Sequence, residues 1–362
     1  MLSKACIVGS YQRKLEELAK FPDVELTVIV PPYWRDERGV MPLEQGHTLG
    51  YQMIVAKMAL NGHFHLHFYP GLGQHLRRLR PDILHIDEEP YNLATFQAMW
   101  LGRRIGARTL FFTWQNLHRR YPPPFRWTES YVLRQTDYAI AGSTEALRVL
   151  RTKGYQGPVK VIPQFGVDPE IYKELKELEE NWPFTIGYVG RLVEEKGIHL
   201  LLRAVAKLEG DWKLHILGSG PFKGHLQELV QQLALEEQVV FDWPRPSEEM
   251  PTYYNKLDTL VLPSLTRPNW KEQFGRVLIE AMACGVPVVG SDCGEIPQVI
   301  GQAGLIFPEG DVAQLLAHLA ELRDNPDLRR QLAERGRKRV LSHYSQVHVA
   351  TQTYEVYREL VG

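Results

Sequence analysis

Short runs rich in valine and isoleucine alternate with amphipathic stretches along almost the whole chain, and this alternation constrains the fold more than any other feature. A parallel strand buried on both faces reads as a continuous apolar run, and the next parallel strand needs a helical crossover before it. In the first half the runs are ACIVG, VELTVIV, DILHI, RTLFFT, DYAIA and VKVI, with helical patterns between them at Arg13 to Phe21, Leu72 to Leu79 and Ser143 to Arg151. After Pro163 the alternation pauses in DPEIYKELKELEENWP, a charged segment without strand signal. It restarts with FTIGYVG, WKLHILG, QVVFDW, DTLVLP and VPVVGS. The pattern predicts an α/β chain of two doubly wound units, 1–165 and 166–344, with the boundary between Gln164 and Asn181. A chain of 362 residues is too long for one ordinary core, which argues for the same division. Residues 345–362 read as a last helix with Val347, Ala350, Tyr354 and Tyr357 at helical spacing, expected to pack back on the first unit.

With 44% hydrophobic and 23% charged residues the composition is that of a folded globular chain and excludes a long disordered tract. No apolar run approaches the roughly 20 residues that span a bilayer, and MLSKACIVGSYQRK holds too short an apolar stretch for a signal peptide. A cytoplasmic location is the expectation. Cys6, Cys284 and Cys293 cannot all pair, and none sits in a CxxC or zinc-type spacing, which fits a reducing compartment and buried packing. The net charge of −1 hides an asymmetry: residues 1–165 carry 21 Lys and Arg against 14 Asp and Glu, and the remainder 21 against 29. A basic first half suits an anionic acceptor or a peripheral contact with the inner face of a membrane, although a solvated basic face has the same composition. No nucleic-acid partner is expected.

Candidate chemistry concentrates in the second half. The strand FTIGYVG runs into Gly190, Arg191, Glu194, Glu195, Lys196 and Gly197, and doubly wound sheets bind ligands beyond the carboxyl ends of their strands. Arg191 and Lys196 are then two cations suited to a diphosphate, though an exposed charged turn accounts for the same residues. After Leu217 come Gly218, Ser219, Gly220 and Pro221, which permit close backbone approach to a ligand or simply make a tight turn. The stretch PSLTRPNWKEQFGRVLIEAMACGVPVVGSDCGEIPQVI, Pro263 to Ile300, is the most informative and reads as strand end, loop, helix, turn, strand and glycine turn. Phe274 and Gly275 fall where the helix begins, and its exposed N–H groups and dipole make a phosphate site. Glu272 precedes that point, and Glu280, five residues past Gly275, lies roughly 7.5 Å further along the axis at helical rise. The two carboxylates are spaced to grip hydroxyls on either side of a phosphate pair, sugar at one end and ribose at the other. Glu280 stands in an otherwise apolar helix beside Val277, Leu278, Ile279 and Ala281, so it needs a partner.

The run EQFGRVLIE, together with GRLVEEKG, GSGP, LPS and EAMACGVPVVGSDCGEIPQVI in that order, resembles the retaining glycosyltransferases of family 4. In the first half the resemblance rests on strand order, on DILHIDEEP, and on VIPQFGVDPEIY, which is similar to the segment joining the two halves in that family. The resemblance implies the GT-B fold, two Rossmann-like domains facing a central cleft. It also implies transfer of a hexosyl group from a UDP- or GDP-sugar, as co-substrate, to a glycan, glycolipid or small-molecule acceptor, as in polysaccharide biosynthesis. By the same resemblance Arg191 and Lys196 neutralise the leaving pyrophosphate, Glu280 binds the ribose hydroxyls, and Glu272 contacts the transferred sugar with the Phe274 and Gly275 amides behind it. Gly190, Ser219, Gly220 and Val277 border that pocket. Family members need no bound metal or other cofactor, and the sequence holds no Asp-x-Asp pair of the metal-binding kind. Departure of the nucleotide then relies on electrostatic help from Arg191, Lys196 and helix amides.

The sequence also departs from the family. Many relatives place a His-Asp or His-Asn pair after the strand matching RTLFFT, where this chain has Thr113, Trp114, Gln115 and Asn116. Either Gln115 or His118 takes the histidine's polar role. The first loop, Gly9, Ser10 and Tyr11, is poorer in glycine than the acceptor-side loop of many relatives; Gly9 and Ser10 are its binding candidates. Two other readings stand beside transfer: a non-catalytic nucleotide-sugar-binding subunit, and another GT-B chemistry such as epimerisation. His63, His65 and His67 alternate with Phe64, Leu66 and Phe68, which predicts a strand with a solvated histidine face rather than a metal site. LATFQAMWLGRRIG is expected in the core between two strands rather than on lipid.

Overall fold

The computed structural model describes residues 1–36, 39–175 and 183–362, which divide into two compact units, Met1–Gly166 with Gln346–Gly362, and Val167–Ser345. Residues 176–182 of the charged connecting segment lie outside the described residues. Among the described residues no helix is long and apolar enough to cross a membrane.

The first unit runs α1 (Gly9–Ala19), β1 (Thr27–Val30), β2 (Tyr33–Asp36), β3 (Gly39–Pro42), β4 (Gln52–Val55), α2 (Leu72–Leu79), β5 (Ile83–Ile86), α3 (Leu93–Arg104), β6 (Arg108–Thr113), α4 (Phe125–Gln135), β7 (Tyr138–Ala141), α5 (Thr144–Thr152) and β8 (Val159–Val161). β4 pairs with β1, and β5 to β8 pair in sequence order, all parallel; β2 and β3 make a separate antiparallel hairpin. Met1–Ser3 join the two ribbons. Leu2 bridges Ile29 and Ile86, donating its N–H to His85 O and accepting from Asp87 N, both at 2.8 Å. ACIVG is therefore not a strand: Ala5–Ile7 form a turn of 3-10 helix and Gly9 opens α1, because the slot between β1 and β5 is already filled.

Residues 63–67 run through turns and not a strand, since the N–H groups of Leu66 and His67 both reach back to His63 O at 3.0 Å, and Phe68 makes only an isolated antiparallel bridge with Ala59. Their exposure reverses the sequence expectation: His67 is buried, while Phe64 and Leu66 are 43% and 41% exposed. Period-two alternation assigns faces only where a ladder partner holds the chain extended. α3 buries Ala94, Ala98 and Met99 with Leu84, Ile86 and Phe111, and leaves Trp100 exposed.

The second unit runs β9 (Phe184–Val189), α6 (Ile198–Val205), β10 (Trp212–Leu217), α7 (Lys223–Gln232), β11 (Val239–Asp242), α8 (Met250–Tyr254), β12 (Thr259–Leu262), α9 (Arg276–Ala283), β13 (Val288–Ser291), α10 (Ile296–Ile300), β14 (Leu305–Phe307), α11 (Val312–Asp324) and α12 (Pro326–His343). Its strands pair all parallel in the order β11-β10-β9-β12-β13-β14. The order reverses between β9 and β12, the switch point at which such sheets open a crevice for ligands. β9 and β12 are buried at every residue, which is why their sequences read as unbroken apolar runs. Ile186, Leu214, Ile216, Leu260 and Val261 are wholly buried, each contributing about 1.5–3 kcal/mol by removal from water.

The last helix, α13 (Gln346–Val361), belongs to the first unit and packs on α1. Its buried stripe is Val349, Ala350, Val356, Tyr357 and Leu360, set against Leu15 and Leu18, whereas Val347 stands 53% exposed on the opposite face. Tyr357 Oη lies 2.7 Å from His85 Nδ1, and the Tyr354 ring stacks on Phe21.

Candidate active site

At the switch point of the second unit the loops after β9 and β10 run in backbone contact. Gly190 N donates to Leu217 O at 3.0 Å, Leu192 N to Ser219 O at 2.9 Å, and Phe222 N to Leu192 O at 2.9 Å. Glycine is required for this approach: a Cβ on Gly218 would lie 1.8 Å from Gly190 O, and one on Gly220 2.3 Å from Leu192 O. The buried Tyr188 donates its hydroxyl to Arg191 O at 2.8 Å, which fixes the Arg191 main chain while its side chain stays exposed. Ser219 is exposed beside it. Pro221 precedes α7 and its cap, Phe222, rather than forming the helix's first turn.

Lys196 and Glu272 meet although 76 residues separate them: Lys196 Nζ donates to Glu272 Oε2 at 2.5 Å. Ser264 Oγ donates to the same oxygen at 3.0 Å, and the Trp270 ring centroid lies 5.0 Å from Lys196 Nζ. The main chain beneath is locked from two sides. Gly197, at φ +67°, is pressed so closely on the end of β12 that a Cβ would stand 1.9 Å from Pro263 O. Gly294, at φ +57°, similarly would bring a Cβ to 2.1 Å from Glu272 O, and Glu295 N donates to that oxygen at 3.2 Å. Glu272 is thus buried, charge-paired and held in one place.

Gly275, at φ +77°, is the N-cap of α9, with Phe274 half-buried ahead of it against Tyr344 and Val277 half-buried after it. The partner that Glu280 needs lies within the protein. Tyr254 on α8 donates its hydroxyl to Glu280 Oε2 at 2.8 Å, and Arg276, one turn earlier on α9, places Nε 2.7 Å from Oε1. Burial, reinforced by the Glu280 carboxylate, pushes the Tyr254 phenol well above its ordinary value, so it remains a donor. An ionised carboxylate has about four lone-pair positions, so the Tyr254 hydroxyl and the Arg276 ion pair leave Glu280 acceptor capacity.

In the first unit, Gly9 and Ser10 open α1, and Gly9 N donates to Glu44 Oε2 at 2.6 Å. The chain's own carboxylate thereby caps that helix. Gln115 is buried, with its N–H on Thr113 Oγ1 at 3.0 Å and its Nε2 on Tyr121 Oη at 3.2 Å; His118 is exposed. Only Gln115 of these two is built into the end of β6. Cys6, Cys284 and Cys293 are buried free thiols, and burial pushes them up to about 11, 12 and 11 respectively, away from the thiolate form. Among the described residues no group of three or more His, Cys, Asp and Glu is placed to hold a metal ion. Sequence reasoning missed Ser264, Tyr254, Arg276 and Glu44. Ser264 closes the LPS run without a spacing that assigns it a partner, and Tyr254 carries no signal; Arg276 stands one turn before Glu280 and was readable as its ion-pair partner.

Two solved structures share this architecture over nearly the whole chain. Sucrose-phosphate synthase from Thermosynechococcus elongatus superposes with a TM-score of 0.73 at 21% identity, covering 97% of this chain and 92% of that one. Anabaena HepE in complex with UDP-glucose gives 0.69 at 18% identity, covering 99% and 98%. The fold is GT-B, and the class is that of the glycosyltransferases. The sequence model described as Glycosyl transferases group 1 matches residues 172–339, and that described as Glycosyltransferase Family 4 matches residues 13–171. The chain belongs to glycosyltransferase family 4. It is similar to the α-maltose-1-phosphate synthase of Mycolicibacterium smegmatis, 32% identical over 260 residues, which are 65% of this chain and 66% of that protein. Matches to curated relatives span about half to two thirds of their length, 50% and 66% in two cases.

Proposed function

We propose that the chain moves a hexosyl group from a UDP- or GDP-sugar to a glycan, glycolipid or small-molecule acceptor, with retention of the anomeric configuration and no bound metal. The observation that carries this reading is the Lys196–Glu272 contact beyond the ends of β9 and β12, with Arg191 five residues ahead of Lys196 and the start of α9 at Gly275 following Glu272 in sequence. HepE, of the same fold, is described in complex with UDP-glucose, a donor of this class.

In the reaction the bond from the anomeric carbon to a diphosphate oxygen breaks and a bond to the acceptor oxygen forms on the same face. The acceptor's proton leaves on the diphosphate. Lys196 and Arg191 offset the charge that grows on the departing diphosphate, helped by amides around Phe274, Gly275 and Val277. Glu272 holds Lys196 until a diphosphate competes for the ammonium, and then accepts from sugar hydroxyls. Glu280 takes the ribose hydroxyls, with Gly190, Ser219 and Gly220 bordering the pocket. Gln115 supplies the polar contact that relatives draw from a histidine, in preference to the exposed His118, and Gly9 and Ser10 serve the acceptor. The basic excess of the first 165 residues, 21 Lys and Arg against 14 Asp and Glu, makes a peripheral contact with the inner face of an anionic membrane. Salt-sensitive co-sedimentation with phosphatidylglycerol vesicles supports that contact, and none rejects it.

The test of transfer is release of free nucleoside diphosphate across a panel of donors and acceptors. One donor is expected to turn over, with chelator present, and Lys196→Ala and Glu272→Ala to lose that turnover. Unchanged turnover in both variants rejects the assignment, and donor conversion without acceptor replaces transfer by epimerisation.

A further inference from the structure

Glu89 follows β5 at the strand-end edge of the first unit, partly exposed, and no role above uses it. Its carboxylate takes two hydrogen bonds from the turn that ends β6: Thr113 Oγ1 donates to Oε2 at 2.6 Å, and Trp114 N donates to Oε1 at 2.8 Å. Thr113 Oγ1 in turn accepts from Gln115 N at 3.0 Å. The donors are ordered along one line, from the Gln115 amide to the Thr113 hydroxyl to the Glu89 carboxylate. The line is anchored at both ends. Glu89 O accepts from Thr95 Oγ1 at 2.7 Å and from Asn92 N at 3.1 Å, tying it to the start of α3. Trp114 Nε1 donates to Gln164 Oε1 at 2.9 Å, and its ring lies so close over Gly142 that a Cβ there would be 2.3 Å from it.

We propose that Glu89 is a positioning residue for sugar transfer, its carboxylate holding the Thr113–Gln115 turn so that Gln115 meets the substrate in one orientation. This rests on the reading of Gln115 given above. The carboxylate form does the holding, because each of its oxygens accepts from one group of the turn; protonation turns one of those acceptors into a donor. The groups that act electrostatically with Glu89 are Glu88 on the same loop, Lys4 ahead of α1, Tyr91, Tyr121, and Lys153 at the end of α5. Burial pushes the Glu89 carboxyl up to about 7, and the bonds from Thr113 and Trp114 and the charge of Lys4 offset only part of that. Turnover is therefore expected to fall as the pH drops through about 7, where the carboxyl takes up its proton and ceases to accept from both groups.

Two measurements test this, one independent of activity. Hydrogen exchange of the peptide spanning residues 113–121, measured at pH 6 and at pH 8, should be faster in Glu89→Gln than in the wild type, because the variant lacks the carboxylate that accepts from Thr113 and Trp114. The log of kcat against pH should carry an acidic limb near 7 that Glu89→Gln abolishes, with kcat lowered about tenfold at pH 8, the effect of one charge-assisted hydrogen bond. Thr113→Val, which keeps the carboxylate, should lose kcat similarly, and Glu89→Asp should restore the limb. Calorimetric affinity for UDP or GDP should stay unchanged throughout. Identical exchange in wild type and Glu89→Gln at both pH values, or an unaltered acidic limb in the variant, overturns the proposal. Absence of any transfer by the wild type overturns the proposed function instead, and leaves the exchange result to decide whether Glu89 holds the turn.

Discussion

Replacement of Gly197 by alanine probes how the second unit builds its cation site. Gly197 follows Lys196 and caps α6 at φ +67°, where an L-residue costs about 1–2 kcal/mol. The new Cβ would also stand 1.9 Å from Pro263 O, so the turn and the end of β12 must part by about 1.1 Å to reach even a tight 3.0 Å contact. Overpacking of that kind adds about 1–3 kcal/mol, and the obstacle is backbone, which cannot rotate aside. The sum, about 2–5 kcal/mol, is a large share of the roughly 5–15 kcal/mol by which folded proteins are stable. Gly224→Ala is the control: Gly224 lies in α7 with nothing within 4 Å of its Cβ position, and alanine there should add about 0.5–1 kcal/mol. Denaturant unfolding read by hydrogen-exchange mass spectrometry follows the peptides of the second unit by themselves. Because Lys196 rides on the displaced turn, nucleoside diphosphate affinity should fall with stability. A Gly197→Ala protein within about 0.5 kcal/mol of wild type refutes the account of the turn.

Two further outcomes are expected. Tyr254→Phe removes the buried hydroxyl from Glu280 Oε2 and should cost about 1–3 kcal/mol in unfolding experiments, with weaker nucleotide binding; Arg276 still pairs the other oxygen, so the fold should survive. Glu88 is buried, which pushes its carboxyl up, yet Lys4 Nζ at 2.6 Å, with the His67 ring nitrogen 3.7 Å away, outweighs burial and holds it at about 2 against an ordinary 4.5. A group lowered in the fold contributes stability that is present above pH 4.5 and lost as pH falls toward 2. Lys4→Met should therefore destabilise the first unit by about 3 kcal/mol at pH 7, with the gap to wild type narrowing on acid titration; a gap constant down to low pH contradicts the pairing.

The elements were legible wherever burial is two-sided. DILHI, RTLFFT, FTIGYVG and DTLVLP all became central strands, because an unbroken apolar run has few other uses in a chain this rich in crossovers. ACIVG has the same composition but sits beside a slot filled by Met1–Ser3, and no local property records that competition. The histidine segment shows the converse: alternation at positions 63–67 arises in turns, where side chains do not take turns across a sheet. In the candidate site, charged and glycine positions were readable because strand-end loops carry them in a recognisable order. Their partners were mostly not. The Tyr254–Glu280 bond and the Lys196–Glu272 pair join residues from different crossovers, which only the folded sheet brings together. The clamp of Glu89 on Thr113 and Trp114 is of the same kind, bridging the ends of adjacent strands β5 and β6.

Isothermal titration of UDP and GDP into the wild type and Lys196→Ala tests the diphosphate site most directly. One of the two nucleotides should bind the wild type with one site per chain, and Lys196→Ala should weaken it at least about tenfold, the loss of roughly 1.4 kcal/mol from a charge-assisted contact. Binding of neither nucleotide, or equal affinity in wild type and variant, contradicts the claim that Lys196 at the end of β9 receives the donor's diphosphate.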